Sequence, residues 1–188
     1  MLTRRQNFWL IIGPAVMMFA FALTSPIVQI YFIKLVDPQV LAIANMLGIG
    51  LAAAVNATVT KDKFLSWYRK HFFWIVSLDI ISYVVICYTG TEYDATIRFI
   101  GLAITDAVST TLWAVVMRSA VNDVLDGDKL TKWSSLSDGY KLAASFLGGT
   151  ILFFLVDMPI EVALLIQCLA NLFCGVTDIH AYRKLERA

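Results

Sequence analysis

Charged residues are scarce in this chain of 188 residues, at 15% of the total, whereas a soluble protein typically has about 25%. The net charge is only +1, so we expect no nucleic-acid partner. The chain has only two histidines, and its three cysteines form no CxxC pair. Both observations argue against a haem or metal site, and we expect no cofactor. P-loop, HExxH and GxSxG motifs are also missing, so we expect no enzymatic activity.

Apolar residues, by contrast, make up 59% of the chain and form six long runs. A bilayer core about 30 Å thick requires roughly 20 apolar residues in a helix. The runs therefore predict an all-α, polytopic membrane protein, with residues 1–188 forming a single domain of six transmembrane helices. The predicted spans are residues 8–33, 40–59, 72–88, 97–124, 139–156 and 160–177. The segment Ala20-Phe21-Ala22 resembles a signal-peptide cleavage site, but the apolar run continues to Ile33, which favours a retained first helix.

The positions of lysine and arginine predict the orientation, because both residues are enriched on the cytoplasmic side of membranes. With six spans, one side holds most of them: Arg4, Arg5, Lys61, Lys63, Arg69, Lys70, Lys129, Lys132, Arg183, Lys184 and Arg187. The opposite side holds only Lys34 and Arg98. We therefore expect both termini to be cytoplasmic, in an inner or plasma membrane.

Asp106 is the main candidate site residue, because an ionisable group inside a membrane span is costly and is usually functional. It lies near the middle of the fourth predicted span and shares a helix face with Thr110, Trp113 and Met117. A poorly solvated carboxylate is suited to bind and release a proton or to hold a cationic substrate. The alternative is a protonated or arginine-paired aspartate that joins two helices.

Three further ionisable residues lie closer to the ends of the predicted spans. Asp79, in the third span, is a candidate second proton carrier or an interhelical hydrogen-bonding residue. Arg118 and Asp123 lie at the cytoplasmic end of the fourth span. Arg118 is placed to pair with an acidic group or with carbonyl groups at a helix end, so we interpret this region as a gate or a brace.

Uncharged polar residues also lie on defined faces. In the first span, Ser25 and Gln29 flank Pro26, where a bend would free backbone carbonyl groups. The sixth span has nearly one polar face, formed by Gln167, Asn171 and Asp178. Gln29 and Asn171, with Trp113, are predicted to line a solute pathway beside Asp106.

Small residues predict where helices approach each other closely. Gly48, Ala52 and Asn56 recur at intervals of four in the second span, and Ala144 and Gly148 do so in the fifth. Small residues at this spacing allow membrane helices to pack closely, and an amide adds an interhelical hydrogen bond.

The order of these features resembles one six-helix half of a major facilitator superfamily transporter, over the whole chain. The stretch Ala52-Ala-Ala-Val-Asn56-Ala-Thr-Val-Thr-Lys61 lies where family members have Gly-x-x-x-Asp followed by basic residues, with Ala52, Asn56 and Val59 replacing the family's glycine, aspartate and second glycine. The segment from Arg118 through Asp123 to Gly148-Gly149 is similar to the family's fourth helix, the following loop and the glycine-bearing fifth helix. The resemblance implies a gating role for Asn56, Arg118 and Asp123.

Family members have twelve spans in two halves, so the resemblance implies that a second half is needed. A homodimer would supply it by isologous pairing, with a central cavity lined by the first and fourth spans of each copy. We therefore expect a secondary transporter, coupled to protons, that alternates access to a small-molecule substrate. The alternative is an integral membrane partner protein without transport activity, such as an immunity, assembly or regulatory factor. A substrate-capture subunit of an energised transporter has less support, since the first span has no stripe of small residues for docking.

Overall fold

The computed structural model describes residues 2, 4–59, 62–86 and 92–185, and at some helical positions, including Asp79, Asp106 and Thr110, it describes the backbone alone. These ranges are mostly helical and contain no β-strand, which confirms the predicted all-α class. The helices are α1 (Arg4–Leu35), α2 (Pro38–Val59), α3 (Asp62–Lys70), α4 (Phe72–Ile86), α5 (Glu92–Asn122), α6 (Gly127–Leu152) and α7 (Ile160–Leu185).

Among the described residues, three segments are helical, long and apolar enough to cross a membrane: Gln6–Leu35, Pro38–Thr58 and Ile160–Leu185. A helix rises about 1.5 Å per residue, so the 21 residues of Pro38–Thr58 extend about 32 Å, which matches the hydrocarbon core. These segments are compatible with a membrane-embedded protein. That the chain has six spans remains a prediction. The 15 described residues of α4 are fewer than the roughly 20 that a span needs, and the first half of α6 contains several charged residues.

The turn between α1 and α2 has a clear local cause. The side chain of Asp37 accepts a hydrogen bond from the backbone N–H of Gln39 (2.7 Å), and the carbonyl of Asp37 accepts one from Leu41 (3.0 Å). Asp37 is therefore the N-cap of α2. Pro38 follows as the first helical residue, where its missing N–H is not needed.

Two segments between the predicted spans are helical. Residues 62–70, between the second and third predicted spans, form α3. Residues 125–138 separate the fourth and fifth predicted spans, but α6 begins at Gly127. Asp126 has extended backbone angles at the N-cap position, and Asp128 places negative charge in the first turn, where it favours a helix. Gly127 has a φ of +46°, a left-handed conformation that glycine adopts without strain.

Contacts along the chain divide it into two compact units, which we describe separately. The first unit consists of Met1–Ile27 and Met117–Ala188, which hold most of α1, the end of α5, and all of α6 and α7. The second unit is Val28–Val116, which holds the end of α1, then α2, α3 and α4, and most of α5.

In the first unit, α6 packs directly against the backbone of α1 at Gly148. A β-carbon at this position would overlap the carbonyl oxygen of Phe19 and would lie 3.2 Å from both the backbone nitrogen of Leu23 and the β-carbon of Ala22. The neighbouring Gly149 has no such contact within 4 Å. The close packing predicted at Gly148 is thus confirmed.

In the second unit, α2 packs against α5 at Gly48. A β-carbon there would lie 2.5 Å from the carbonyl oxygen of Ala103 and 3.3 Å from the β-carbon of Ala107, so the close packing predicted at Gly48 is also confirmed. Phe32, at the end of α1, contacts Phe99 of α5 with ring centroids 5.3 Å apart.

Candidate functional site

One face of α7 is polar and buried within the first unit. Gln167, Asn171, Thr177 and Asp178 are all less than 7% exposed, and Asn171 is only 1% exposed. Residues 167, 171 and 178 are separated by one and two helical turns, so they share a face. The opposite face is apolar and exposed: Leu165, Leu169, Leu172, Phe173 and Val176. A helix with its polar face inside and its apolar face outside suits a lipid environment.

The adjoining surface of α1 also carries polar groups. The side-chain amide of Gln167 donates to the hydroxyl of Ser25 at 3.5 Å, which is a long hydrogen bond. Thr24 is fully buried and donates to the carbonyl of Ala20 at 2.7 Å. Pro26 has no N–H, so the carbonyl of Ala22 lacks its usual intrahelical donor. We call the buried polar residues of α7, together with Gly13, Thr24 and Ser25 of α1, the α1–α7 polar interface.

Towards the N-terminus of α1, Gly13 lets the two helices approach very closely. A β-carbon at Gly13 would overlap the hydroxyl oxygen of Thr177 and would lie 3.2 Å from the α-carbon of Cys174. The Thr177 hydroxyl faces Gly13 of α1 and donates to the carbonyl of Cys174 at 2.8 Å. One turn before Gly13, the Trp9 ring meets the His180 ring edge-on, with centroids 5.3 Å apart.

Asp178 is the acidic group of the α1–α7 polar interface, and its residue is 3% exposed. The thiol of Cys174 lies 3.8 Å from its Oδ2 atom and is positioned as a weak donor. A charged carboxylate with so little exposure is costly in a membrane protein, and such groups usually belong to ion or proton pathways. Asp178 is therefore chemically suited to bind a proton.

Several buried polar atoms in the first unit have no hydrogen-bond partner within the described part of the chain: Asn7 Oδ1, Trp9 Nε1, Trp133 Nε1 and Ser145 Oγ. Buried polar atoms are satisfied in the great majority of cases, so each such atom is informative. Within the described residues, no group of three or more histidine, cysteine, aspartate or glutamate side chains is placed to hold a metal ion.

The predicted site residues of the first unit differ in their surroundings. Asn171 is buried on the polar face of α7. Arg118 is exposed near the end of α5, and Asp123 is exposed immediately after that helix, where its N–H donates to the carbonyl of Ser119.

The other predicted site residues belong to the second unit. Trp113 is buried at 6% exposure, whereas Gln29 and Asn56 are exposed. The side chains of Asp79, Asp106 and Thr110 lie outside the described residues. The roles of these residues stay predictions.

Sequence reasoning did not identify Gly13, Thr24 or Thr177 as part of a site. Hydroxyl groups and glycines are common in apolar runs, so no local pattern singled them out. A usable signal lay beyond the predicted end of the sixth span, because Ala181, Tyr182 and Leu185 continue the buried face. The helix therefore includes Asp178, which lies one residue beyond the predicted end of the sixth span.

Comparison with protein-family models, with curated proteins and with solved structures found no match to this chain.

Proposed function

We propose that the protein is a secondary membrane transporter that works as a homodimer, couples to protons and alternates access to a small polar solute. The resemblance to half of a major facilitator protein motivates this proposal, and the three apolar helices that can cross a membrane are compatible with it. Both termini are cytoplasmic in this proposal.

The observation that carries the proposal is the buried polar face of α7. Each polar side chain removed from water costs about 1–3 kcal/mol unless it finds a hydrogen-bond partner. Leucine at these positions would keep the helix in the membrane without that cost. Gln167, Asn171 and Asp178 are nevertheless all buried on one face of α7, and Gln167 contacts Ser25 of α1. A pathway for protons or polar solutes accounts for their presence.

The requirement for a second copy is supported by the surface of α2. Asn45 and Asn56 are both exposed and lie about three helical turns apart, on one side of the helix. Exposed Ala42, Ile49 and Ala53 lie on the same side. An amide that faces acyl chains is unfavourable, whereas small residues with asparagines form hydrogen-bonded contacts between membrane helices. We therefore place the twofold contact at this surface, with α2 of one copy against α2 of the other.

Replacing Asn171 with leucine tests the proposed pathway. The two side chains are similar in volume, so the helix contact is kept while a buried amide is lost. We expect proton flux into vesicles containing the purified protein to fall at least tenfold, which corresponds to about 1.4 kcal/mol in a barrier. The flux is read from a pH-sensitive dye trapped inside the vesicles.

Asn122→Leu is the matched control, because Asn122 is an exposed amide at the end of α5. Its flux should equal that of the unmodified protein. Equal flux in the Asn171→Leu variant would show that the polar face of α7 is not the pathway.

The double substitution Asn45→Leu and Asn56→Leu tests the dimer. Interhelical polar contacts contribute about 1 kcal/mol each. Losing the contacts of both Asn45 and Asn56 should therefore raise the dissociation constant of the dimer roughly 30-fold. Detergent-corrected light scattering against protein concentration measures this change. Leu47→Ala with Leu51→Ala, on the other exposed flank of α2, should leave the particle mass at two chains.

A monomeric unmodified protein would exclude the two-copy arrangement. A stable complex with a different polypeptide, recovered in equal amounts after gentle solubilisation, would favour the non-transporting partner protein instead.

A further inference from the structure

Helix α3 differs in character from the helices that surround it. It spans Asp62–Lys70 with the sequence DKFLSWYRK, whereas α2 before it and α4 after it are almost entirely apolar. A loop of polar residues would be sufficient to connect two membrane helices. The chain forms a short amphipathic helix here.

The aromatic side chains of α3 lie together on one face. Phe64, Trp67 and Tyr68 are spaced three and four residues apart, which places them on adjacent positions of one side of a helix. Phe64 is 44% exposed and Trp67 is 54% exposed, so the described part of the chain leaves this apolar face uncovered. His71 extends the face, because its ring stacks on Trp67 with centroids 4.3 Å apart.

The opposite face of α3 is polar and basic. Ser66 and Lys70 are exposed, and Arg69 is half-buried. Ser66 and Lys70 are four residues apart, so they share the side of the helix turned away from Phe64. In the sequence, Lys61 and Lys63 add two further positive charges to this segment and Asp62 adds one negative charge.

The position of α3 along the chain places it at the surface of the membrane. The candidate span Pro38–Thr58 is just long enough to cross the hydrocarbon core, and α3 begins four residues after Thr58. Tryptophan at the boundary between lipid and water is favourable, since its ring is apolar and its N–H is polar. A short helix with aromatic residues on one face and basic residues on the other lies flat in this boundary.

We propose that α3 is an interfacial helix that binds the headgroups of anionic phospholipids through Arg69 and Lys70, while Phe64 and Trp67 insert between the acyl chains. Charge complementarity favours anionic headgroups, since the described side chains of the polar face include two cations, Arg69 and Lys70. The proposal goes beyond the proposed function and does not depend on transport. A failure of one leaves the other standing.

The test uses the intact protein in phosphatidylcholine vesicles that contain, at equal mole fraction, either brominated phosphatidylglycerol or brominated phosphatidylcholine. Bromine quenches a tryptophan that it contacts, and the contribution of Trp67 is the difference from the matching Trp67→Phe variant. We expect stronger quenching of Trp67 by the anionic lipid. Arg69→Gln with Lys70→Gln should lower this preference by about fivefold for each cation removed.

The matched control is Lys129→Gln with Lys132→Gln, which removes two exposed positive charges from α6 instead. It should keep the full preference for the anionic lipid. In the unmodified protein, high salt should weaken the preference, because the Debye length falls from about 10 Å at 0.1 M to about 3 Å at 1 M.

Equal quenching by the two lipids would overturn the proposal, and so would an equal loss in the α6 control. Inorganic phosphate at the same ionic strength as chloride should change nothing beyond the effect of salt. If phosphate alone removed the preference, the cations would form a site for free anions and the assignment to lipid would be wrong.

Discussion

Replacing Gly148 with alanine is expected to destabilise the first unit by about 2 kcal/mol, since filling a well-packed contact typically costs 1–3 kcal/mol. The added methyl group would overlap the carbonyl oxygen of Phe19. This oxygen belongs to the backbone of α1 and cannot rotate away, so α6 must move away from α1. Alanine favours a helix over glycine by about 1 kcal/mol, which offsets only part of the loss.

The adjacent Gly149→Ala variant is the control for this prediction. It makes the same chemical change in the same helix turn, but a β-carbon there meets nothing within 4 Å. Its stability should be unchanged or slightly higher. Thermal unfolding of both purified variants in the same detergent measures the difference. An equal loss of stability in the two variants would contradict the contact between α6 and α1.

Replacing Asp106 with asparagine is expected to abolish proton flux while the protein still assembles. Asparagine has nearly the same shape as aspartate but cannot take up a proton at physiological pH. Asp106 lies in α5, at the centre of an apolar run, where an ionisable group is costly and usually functional. Proton flux into vesicles, measured over a range of external pH, reports the change.

Two further variants make the Asp106 result specific. Asp106→Glu keeps the carboxyl group and should retain part of the flux. Asp126→Asn removes an exposed carboxylate from the turn before α6 and should retain all of it. Unchanged flux and pH dependence in Asp106→Asn would exclude Asp106 as the proton carrier, and the interpretation as a structural aspartate would then stand.

The helical class and two of the close helix contacts were predictable from the sequence, because each depends on local pattern. Apolar runs of about 20 residues predict helices, since a membrane-spanning chain must satisfy its backbone hydrogen bonds internally. Gly48 and Gly148 were identified because small residues recur one turn apart near them. In both cases the structure places another helix backbone directly against the glycine.

The polar face of α7 was predictable in part. Gln167, Asn171 and Asp178 follow helical spacing, so their shared face is a local property. Their partner surface was not predictable, because Ser25 and Thr24 are distant in the chain and only tertiary packing brings α1 alongside α7. The role of Gly13 depends on the same packing.

Helix α3 and the first turns of α6 were missed for a different reason. Both segments contain charged residues and lie between the apolar runs, so the predicted spans exclude them, although helical periodicity is the better guide. The spacing of Phe64, Trp67 and Tyr68 against Ser66 and Lys70 predicts an amphipathic helix when it is examined at 3.6 residues per turn.

The central claim is that this chain provides a pathway by which protons cross a membrane. Proton flux through the purified, unmodified protein tests it most directly, with a pH-sensitive dye inside the vesicles and a pH step imposed outside. The account predicts internal pH changes faster than in protein-free vesicles and faster than in vesicles with the Asn171→Leu variant. If the unmodified protein leaves the rate at that of protein-free vesicles, proton coupling is excluded and with it the proposed transport mechanism.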